Sequence, residues 1–167
     1  GGGNTYYTGQ GVAWGASLSS ADFSTLLPDN IQELKQRKVS VQNHSYGVGI
    51  ENYYGADAAA YDAQLLQNPT LIHVFSAGNS GSQTGNSGYY AGVTGFANLT
   101  GSFKMAKNIL TVGAIDSFGV MAPLSSHGPA CDGRVKPELV AFGEDGSSGS
   151  AAIVSGIALL VQDAWQQ

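Results

Sequence analysis

The chain has 167 residues, room for one domain with a buried core and too few for two ordinary ones. Apolar residues make up 43% and charged residues only 11%, which excludes a disordered chain. The formal net charge of −5 excludes a nucleic-acid partner, because phosphate binding needs clustered Lys and Arg.

Residues 15–23 read as a short strand. Residues 29–38 read as a helix capped by Asp29, with Ile31 and Leu34 on one face. The one basic cluster, Lys35, Arg37 and Lys38, shares that helix with Glu33 and reads as a solvated face. Residues 39–43 alternate with period two and read as a strand that runs into a loop at 46–49. Residues 55–67 read as a second helix, stopped by Pro69. Residues 71–75 and 109–114 are short apolar runs typical of buried parallel strands, and residues 139–142 form a further strand. A Gly/Ser/Asn loop covers 76–88. From Ser148 to Trp165 the apolar spacing predicts a long helix.

No run has the length of a membrane span, so no membrane partner is expected. No signal-peptide pattern opens the chain. Cys131 is alone, so it forms neither an internal disulfide nor a Cys-based metal cluster. Two sequons occur, at Asn43 and Asn98. The charge-poor, Gly/Ser/Asn/Tyr-rich composition fits an exported protein, secreted or held in the cell envelope or periplasm.

Helices that alternate with short apolar strands imply an α/β fold with a mainly parallel sheet covered on both faces. Sites in such folds lie at the carboxyl ends of the strands, which brings loops 43–49, 76–81 and 143–148 together. In Gly146-Ser147-Ser148-Gly149-Ser150-Ala151-Ala152, a serine opens a long helix, where free N–H groups and the helix dipole favour an oxyanion. The same segment alone also fits a Gly/Ser loop with a capping Ser. In Ser76-Ala77-Gly78-Asn79-Ser80-Gly81, an Asn held between glycines at a strand end can aim its amide at a substrate oxygen. Alone, it also fits an Asn-Gly turn.

Together with other landmarks, these segments resemble the subtilisin-like serine peptidases, the subtilases. Gly11-Val12-Ala13-Trp14-Gly15-Ala16 resembles the family's G-V-A-P-x-A. Val41-Gln42-Asn43-His44-Ser45-Tyr46-Gly47 resembles its substrate-binding N-x-S-x-G. Ser76 to Gly81 resembles A-A-G-N-x-G, and Leu110-Thr111-Val112-Gly113-Ala114 resembles V-x-x-V-G-A. Ser125-Ser126-His127-Gly128-Pro129 resembles S-S-x-G. Lys136-Pro137-Glu138-Leu139-Val140-Ala141 resembles K-P-D-L-x-A, and Gly146 to Ala152 stands at G-T-S-x-A-x-P. The resemblance spans nearly the whole chain. It implies a three-layer α/β sandwich with a mainly parallel sheet, incomplete here, and a serine endopeptidase acting on an extended peptide or protein. It implies Ser148 as nucleophile, Asn79 as oxyanion donor with the Ser148 N–H, and Ser45, Tyr46, Gly47, Ser76, Ala77 and Gly78 as substrate-binding residues.

There are departures. The family's triad runs Asp, His, Ser, and this chain opens where the helix carrying the His would be ending. The Asp and His are therefore expected upstream, and the chain alone is expected not to hydrolyse peptides. His44, His73 and His127 read as structural. The segment between residues 142 and 146 is short, Ala152 replaces the Pro, and the family's closing elements are absent. Residues 1–167 thus read as part of a catalytic domain. A pseudo-peptidase or peptide-binding module on the same fold is the alternative. A nucleotide-binding domain is excluded, since no G-x-G-x-x-G or G-x-x-x-x-G-K-[ST] occurs. No cofactor is expected. Subtilases often bind structural calcium, but the loop Gly3-Asn4-Thr5-Tyr6-Tyr7, near one family site, has no carboxylate, so no metal is expected there. Residues 86–104 show no clear match to the family's pocket base, so substrate preference stays open.

Overall fold

The computed structural model describes residues 10–22 and 24–166. Four short strands pair as a parallel sheet: β1 (Val41–His44), β2 (Ile72–Ser76), β3 (Leu110–Ile115) and β4 (Leu139–Phe142), in the order β1-β2-β3-β4. Val41 stands beside Ile72, Val74 beside Leu110, and Val112 beside Leu139. The expected parallel neighbours 39–45, 71–75 and 109–114 are therefore adjacent. Helices α1 (Ile31–Gln36) and α2 (Ala56–Gln67) flank β1 in sequence, and α3 (Ser147–Gln166) follows β4.

Strand alternation divides the core in two. On one face Phe75 packs with Leu34 of α1, Tyr61 and Leu65 of α2, and Phe103 of a short 3-10 turn (Ser102–Met105). On the other, Val74 and Val112 meet Ala151 and Val154 of α3. Both clusters lie under continuous helix, which is why β2 and β3 read as apolar runs without polar alternation.

Two expectations need correction. Asp29 does not cap α1. Asn30 does, accepting from the Gln32 N–H at 2.8 Å, while the Asp29 carbonyl accepts from Gln64 Nε2 at 2.7 Å. Residues 15–22 form no strand, and Phe23 lies outside the described residues. The segment has no ladder partner and no apolar stripe to bury, and Leu18 is 79% exposed. It follows a turn whose Val12 lies against Gly156 of α3. The basic cluster is solvated as expected, with Arg37 pairing Glu33 at 3.0 Å on the exposed side of α1.

A polar chain runs through the α2 face. Tyr61 and Tyr46 hydroxyls are 3.4 Å apart, and Tyr46 Oη lies 3.0 Å from His44 Nδ1. His44 Nε2 is 2.8 Å from His73 Nδ1, and His73 Nε2 is 2.8 Å from Gln64 Oε1. The Gln64 amide donates to the Asp29 carbonyl, so its oxygen faces His73. Every bond is then satisfied in one direction with both imidazoles neutral: Tyr61 donates to Tyr46, Tyr46 to His44, His44 to His73 and His73 to Gln64. Burial holds both imidazoles well below their ordinary pKa of 6.5, and for His44 the neighbouring His73 charge adds to the effect.

A second buried polar clasp joins β3 to β4. The fully buried Lys136 ammonium meets Glu138 at 2.5 Å and Thr111 Oγ1 at 3.1 Å, and Glu138 accepts from the Thr111 N–H at 2.7 Å.

Two outcomes follow for stability. As pH falls below 6.5, the unfolded chain protonates His44 and His73 while the folded chain resists. Stability present above that pH is therefore lost, by about 4 kcal/mol between pH 7 and 5 for the two groups. Urea midpoints across that range check this: the wild type should fall more steeply than a His44→Phe/His73→Leu variant, and equal slopes would contradict the neutral chain. Glu138→Ala leaves the Lys136 ammonium buried without its carboxylate and should cost about 2–3 kcal/mol in denaturant unfolding. A loss below about 0.5 kcal/mol would show that the clasp does not hold β4.

Candidate active site

Residues 143–146 carry the chain from β4 directly into α3 by a tight turn, with the Gly146 N–H on the Gly143 carbonyl at 3.0 Å. The short connection is thus a complete turn, and α3 runs unbroken through the exposed Ala152, so no proline is needed to shape the elbow.

A helix start leaves four N–H groups without helical partners. Here three are taken. The Gly146 N–H donates to the Gly143 carbonyl at 3.0 Å, the Ser147 N–H to Asn79 Oδ1 at 3.0 Å and the Gly149 N–H to Asp145 Oδ1 at 3.0 Å, while the Ser150 N–H makes the first helical bond, to the Gly146 carbonyl at 3.5 Å. The Ser148 N–H donates to nothing among the described residues and stays free beside its own side chain.

The hydroxyls separate in the same way. Ser147 is buried, its Oγ accepting from the Gly78 N–H and lying 3.0 Å from both the Gly78 carbonyl and Asn79 Oδ1. Ser150 is buried and donates to the Ala141 carbonyl at 2.9 Å. Ser148 Oγ is half-buried, with only a 3.5 Å contact to the Ser45 carbonyl. Of the serines in this turn, Ser148 alone presents a hydroxyl open to a substrate.

Asn79 lies on the same rim. The Ser147 N–H requires an acceptor, which assigns the near side of the Asn79 amide as oxygen. Its Nδ2 group, on an exposed side chain, donates to no described residue. Asn79 does not cap its own turn. The following loop is held by the fully buried Asn98, whose Nδ2 donates to the Ser80, Gly81 and Gln83 carbonyls while its Oδ1 accepts from the His127 N–H. That burial also puts the Asn98 sequon out of reach in the folded chain. Asn43, by contrast, is exposed, with its amide between Ser45 and Ser155.

Of the substrate-binding candidates, Ser45, Tyr46 and Gly47 follow the end of β1 beside Ser148, with Ser45 Oγ donating to the Ser148 carbonyl at 3.0 Å. Gly47 is exposed and enters no backbone ladder among the described residues. Gly78 touches Ser147. Ser76 and Ala77 are buried one step below, so they meet a groove only through their backbone.

Between these two walls stands Thr100, which sequence reasoning missed. Its N–H donates to the Ala77 carbonyl at 3.2 Å, and its carbonyl accepts from the Val48 N–H at 3.4 Å. A Cβ on Gly47 would come within 2.3 Å of Thr100 Oγ1, and one on Gly78 within 2.2 Å. Gly78 also has φ +110, so both close approach and backbone require glycine there. Lys104, also missed, donates to Thr100 Oγ1 at 2.8 Å from full burial, and burial lowers its pKa to about 7. Neither residue follows a periodic pattern, so only the glycine pairing was a signal.

None of the three histidines touches Ser148. His44 and His73 are committed to the buried chain on the α2 face, and His127 Nδ1 lies 3.2 Å from the Gly95 carbonyl. Among the described residues no cluster of three His, Cys, Asp or Glu side chains can hold a metal ion, and no helix is long and apolar enough to cross a membrane. The candidate calcium loop at 3–7 lies outside the described residues.

Known structures share this arrangement of sheet and helices. The self-cleaved protease domain of PatA is 23% identical with a TM-score of 0.59, over 81% of this chain and 50% of that one. The prenylagaramide maturation protease PagA is 21% identical with a TM-score of 0.57, over 81% and 48%. The PatG macrocyclase in complex with peptide is 18% identical with a TM-score of 0.57, over 80% and 41%. The chain spans about half the length of the solved structures it matches, or less. The subtilase family model, peptidase S8, matches residues 1–167, and the chain belongs to that family.

Proposed function

We propose that this chain carries the nucleophile and oxyanion site of a serine endopeptidase. The observation that carries the reading is the isolation of one hydroxyl and two donors on one rim: Ser148 Oγ, the Ser148 N–H and Asn79 Nδ2, with every neighbouring polar group occupied. Ser148 Oγ attacks the scissile carbonyl, and the carbonyl oxygen, now negative, accepts from the two free donors. The proton from Ser148 goes to a histidine held by a carboxylate, both supplied by residues of the parent protein outside these 167. The peptide lies extended along residues 45–47, adding its backbone to the open end of β1. The side chain of the residue whose carbonyl is attacked enters between 45–47 and 76–78.

The surface supports a larger parent domain. Leu139, Val140 and Phe142 of β4 are each more than 40% exposed, as are Ile157, Leu160 and Val161 of α3, an apolar surface that further segments would cover. The composition supports an exported location, outside the cell or in its envelope. The alternative, a peptide-binding module without chemistry, is favoured by one observation: no described histidine reaches Ser148.

Peptide hydrolysis and fluorophosphonate labelling test both readings. The full-length protein should be labelled, and Ser148→Ala should abolish labelling and turnover. Asn79→Ala should lower kcat about 100- to 1000-fold with KM little changed, the cost of removing one oxyanion donor. Residues 1–167 alone should not label above the Ser148→Ala control, because an unassisted hydroxyl is a poor nucleophile. A full-length protein that binds peptide but neither labels nor cleaves is the binding module.

A further inference from the structure

Among the described residues, no carboxylate pairs with Lys104. Its ammonium is fully buried, donates to Thr100 Oγ1 and lies 5.7 Å from the centre of the Phe103 ring. The neighbouring carboxylates are turned elsewhere: Glu51 accepts from the Ser102 N–H at 2.8 Å, and Asp57 from Ser102 Oγ at 2.7 and 2.9 Å. Two of the three ammonium protons are without a hydrogen-bond partner among the described residues. A buried cation in that condition is costly unless it deprotonates or meets an anion. Lys136, the other buried lysine, has such an anion in Glu138.

The place of Lys104 says where the anion comes from. Its hydroxyl partner, Thr100, is the residue wedged between the two walls beside Ser148. Thr100 Oγ1 accepts from the ammonium, so its own O–H is left to donate, and it lies against the Cα atoms of Gly47 and Gly78, where neither wall carries a side chain. A side chain descending between these walls meets that O–H first and the positive charge directly behind it.

We infer that the cleft between residues 45–47 and 76–78 selects an acidic side chain, Glu or Asp, on the residue whose carbonyl is attacked, with Thr100 donating to the carboxylate and Lys104 supplying the counter-charge behind it. The inference rests on the placement of the peptide proposed above. Lys104 acts through Thr100 and is a positioning residue. Burial without a counter-ion already brings its pKa down to about 7, so a ligand carrying negative charge gains most at this spot. An uncharged isostere such as Gln leaves the charge uncompensated, which gives the discrimination.

The test uses the full-length protein and fluorogenic peptides that differ only at that residue: Glu, Gln, Asp, Asn and Leu. The expected result is a kcat/KM for Glu about tenfold or more above Gln, with Asp above Asn. Lys104→Met should bring the Glu-to-Gln ratio within about twofold of unity. Thr100→Val, nearly isosteric, should lower the ratio several-fold and decides the matter if Lys104→Met fails to fold by circular dichroism. A wild-type ratio at or below one, or one that survives both substitutions, overturns the inference. A parallel arm measures binding of peptides ending in Glu or Gln to Ser148→Ala. If no peptide is cleaved yet Glu is preferred in binding, the hydrolytic reading fails and the subsite stands. If cleavage occurs without the preference, the subsite fails and the hydrolytic reading stands. If neither cleavage nor a binding preference is found, both fall.

Discussion

The Asn79 amide grips the first residue of α3, and the site depends on that contact. By accepting from the Ser147 N–H, Asn79 Oδ1 joins the end of β2 to the start of the helix. Ser147 completes the joint by burying its hydroxyl against Gly78. Once the oxygen side of the amide is used, the nitrogen side faces outward as a donor. Once Ser147 is consumed, the next residue is the first with both a free hydroxyl and a free N–H. One hydrogen bond therefore decides which serine is presented and which way the amide points. Gly146 makes the approach possible: its φ is +92, and a Cβ there would lie 2.7 Å from Asn79 Oδ1.

The sheet separates two kinds of polar chemistry. On the α2 face, the histidine chain is neutral, saturated and closed, with His44 stacked on Phe75 at 4.1 Å between ring centres. A network with every donor placed stiffens a core, and it has nothing left to offer a substrate. At the carboxyl ends of the strands the reverse holds. Groups there are held by one side and left open on the other: Asn79 by its oxygen, the α3 start by all but one N–H, Thr100 by its backbone. Partial satisfaction is costly inside a core, and at a water-facing rim it is how a binding site is preorganised.

Much of this was legible in the sequence, and the physical reason differs by part. The strand at Val41 was legible from its period-two alternation and those at Ile72 and Leu110 from short apolar runs, and their parallel order followed from the helix or long crossover between each pair. That Ser148 and Asn79 follow the carboxyl ends of β4 and β2 was legible from the strand pattern, while their proposed roles came from the family resemblance, since each segment alone also fits a plain loop or turn. The strand expected at 15–23 failed over its described residues, 15–22, because alternation without a ladder partner specifies nothing. Asp29 was preferred to Asn30 as the cap because both chemistries fit; the Gln64 contact to the Asp29 carbonyl, from a residue 35 positions away, is invisible along the chain. Thr100 and Lys104 were missed for the same reason. Their meaning lies in contacts with Gly47 and Gly78, far off in sequence, and their own segment has no periodicity to read.

Lys104 is a buried charge without a counter-ion among the described residues. His73, Asn98 and Lys136 each sit among partners that use their donors or balance their charge. Lys104 has one hydroxyl and the face of the Phe103 ring, although the same short turn places Ser102 against two carboxylates close by. A chain selected only for stability would do better with an apolar side chain of similar volume at this position. Local rules are most often broken where a site needs the breach. The breach here lies behind Thr100, which packs against both Gly47 and Gly78, and the inferred acidic side chain would supply the anion that is missing there.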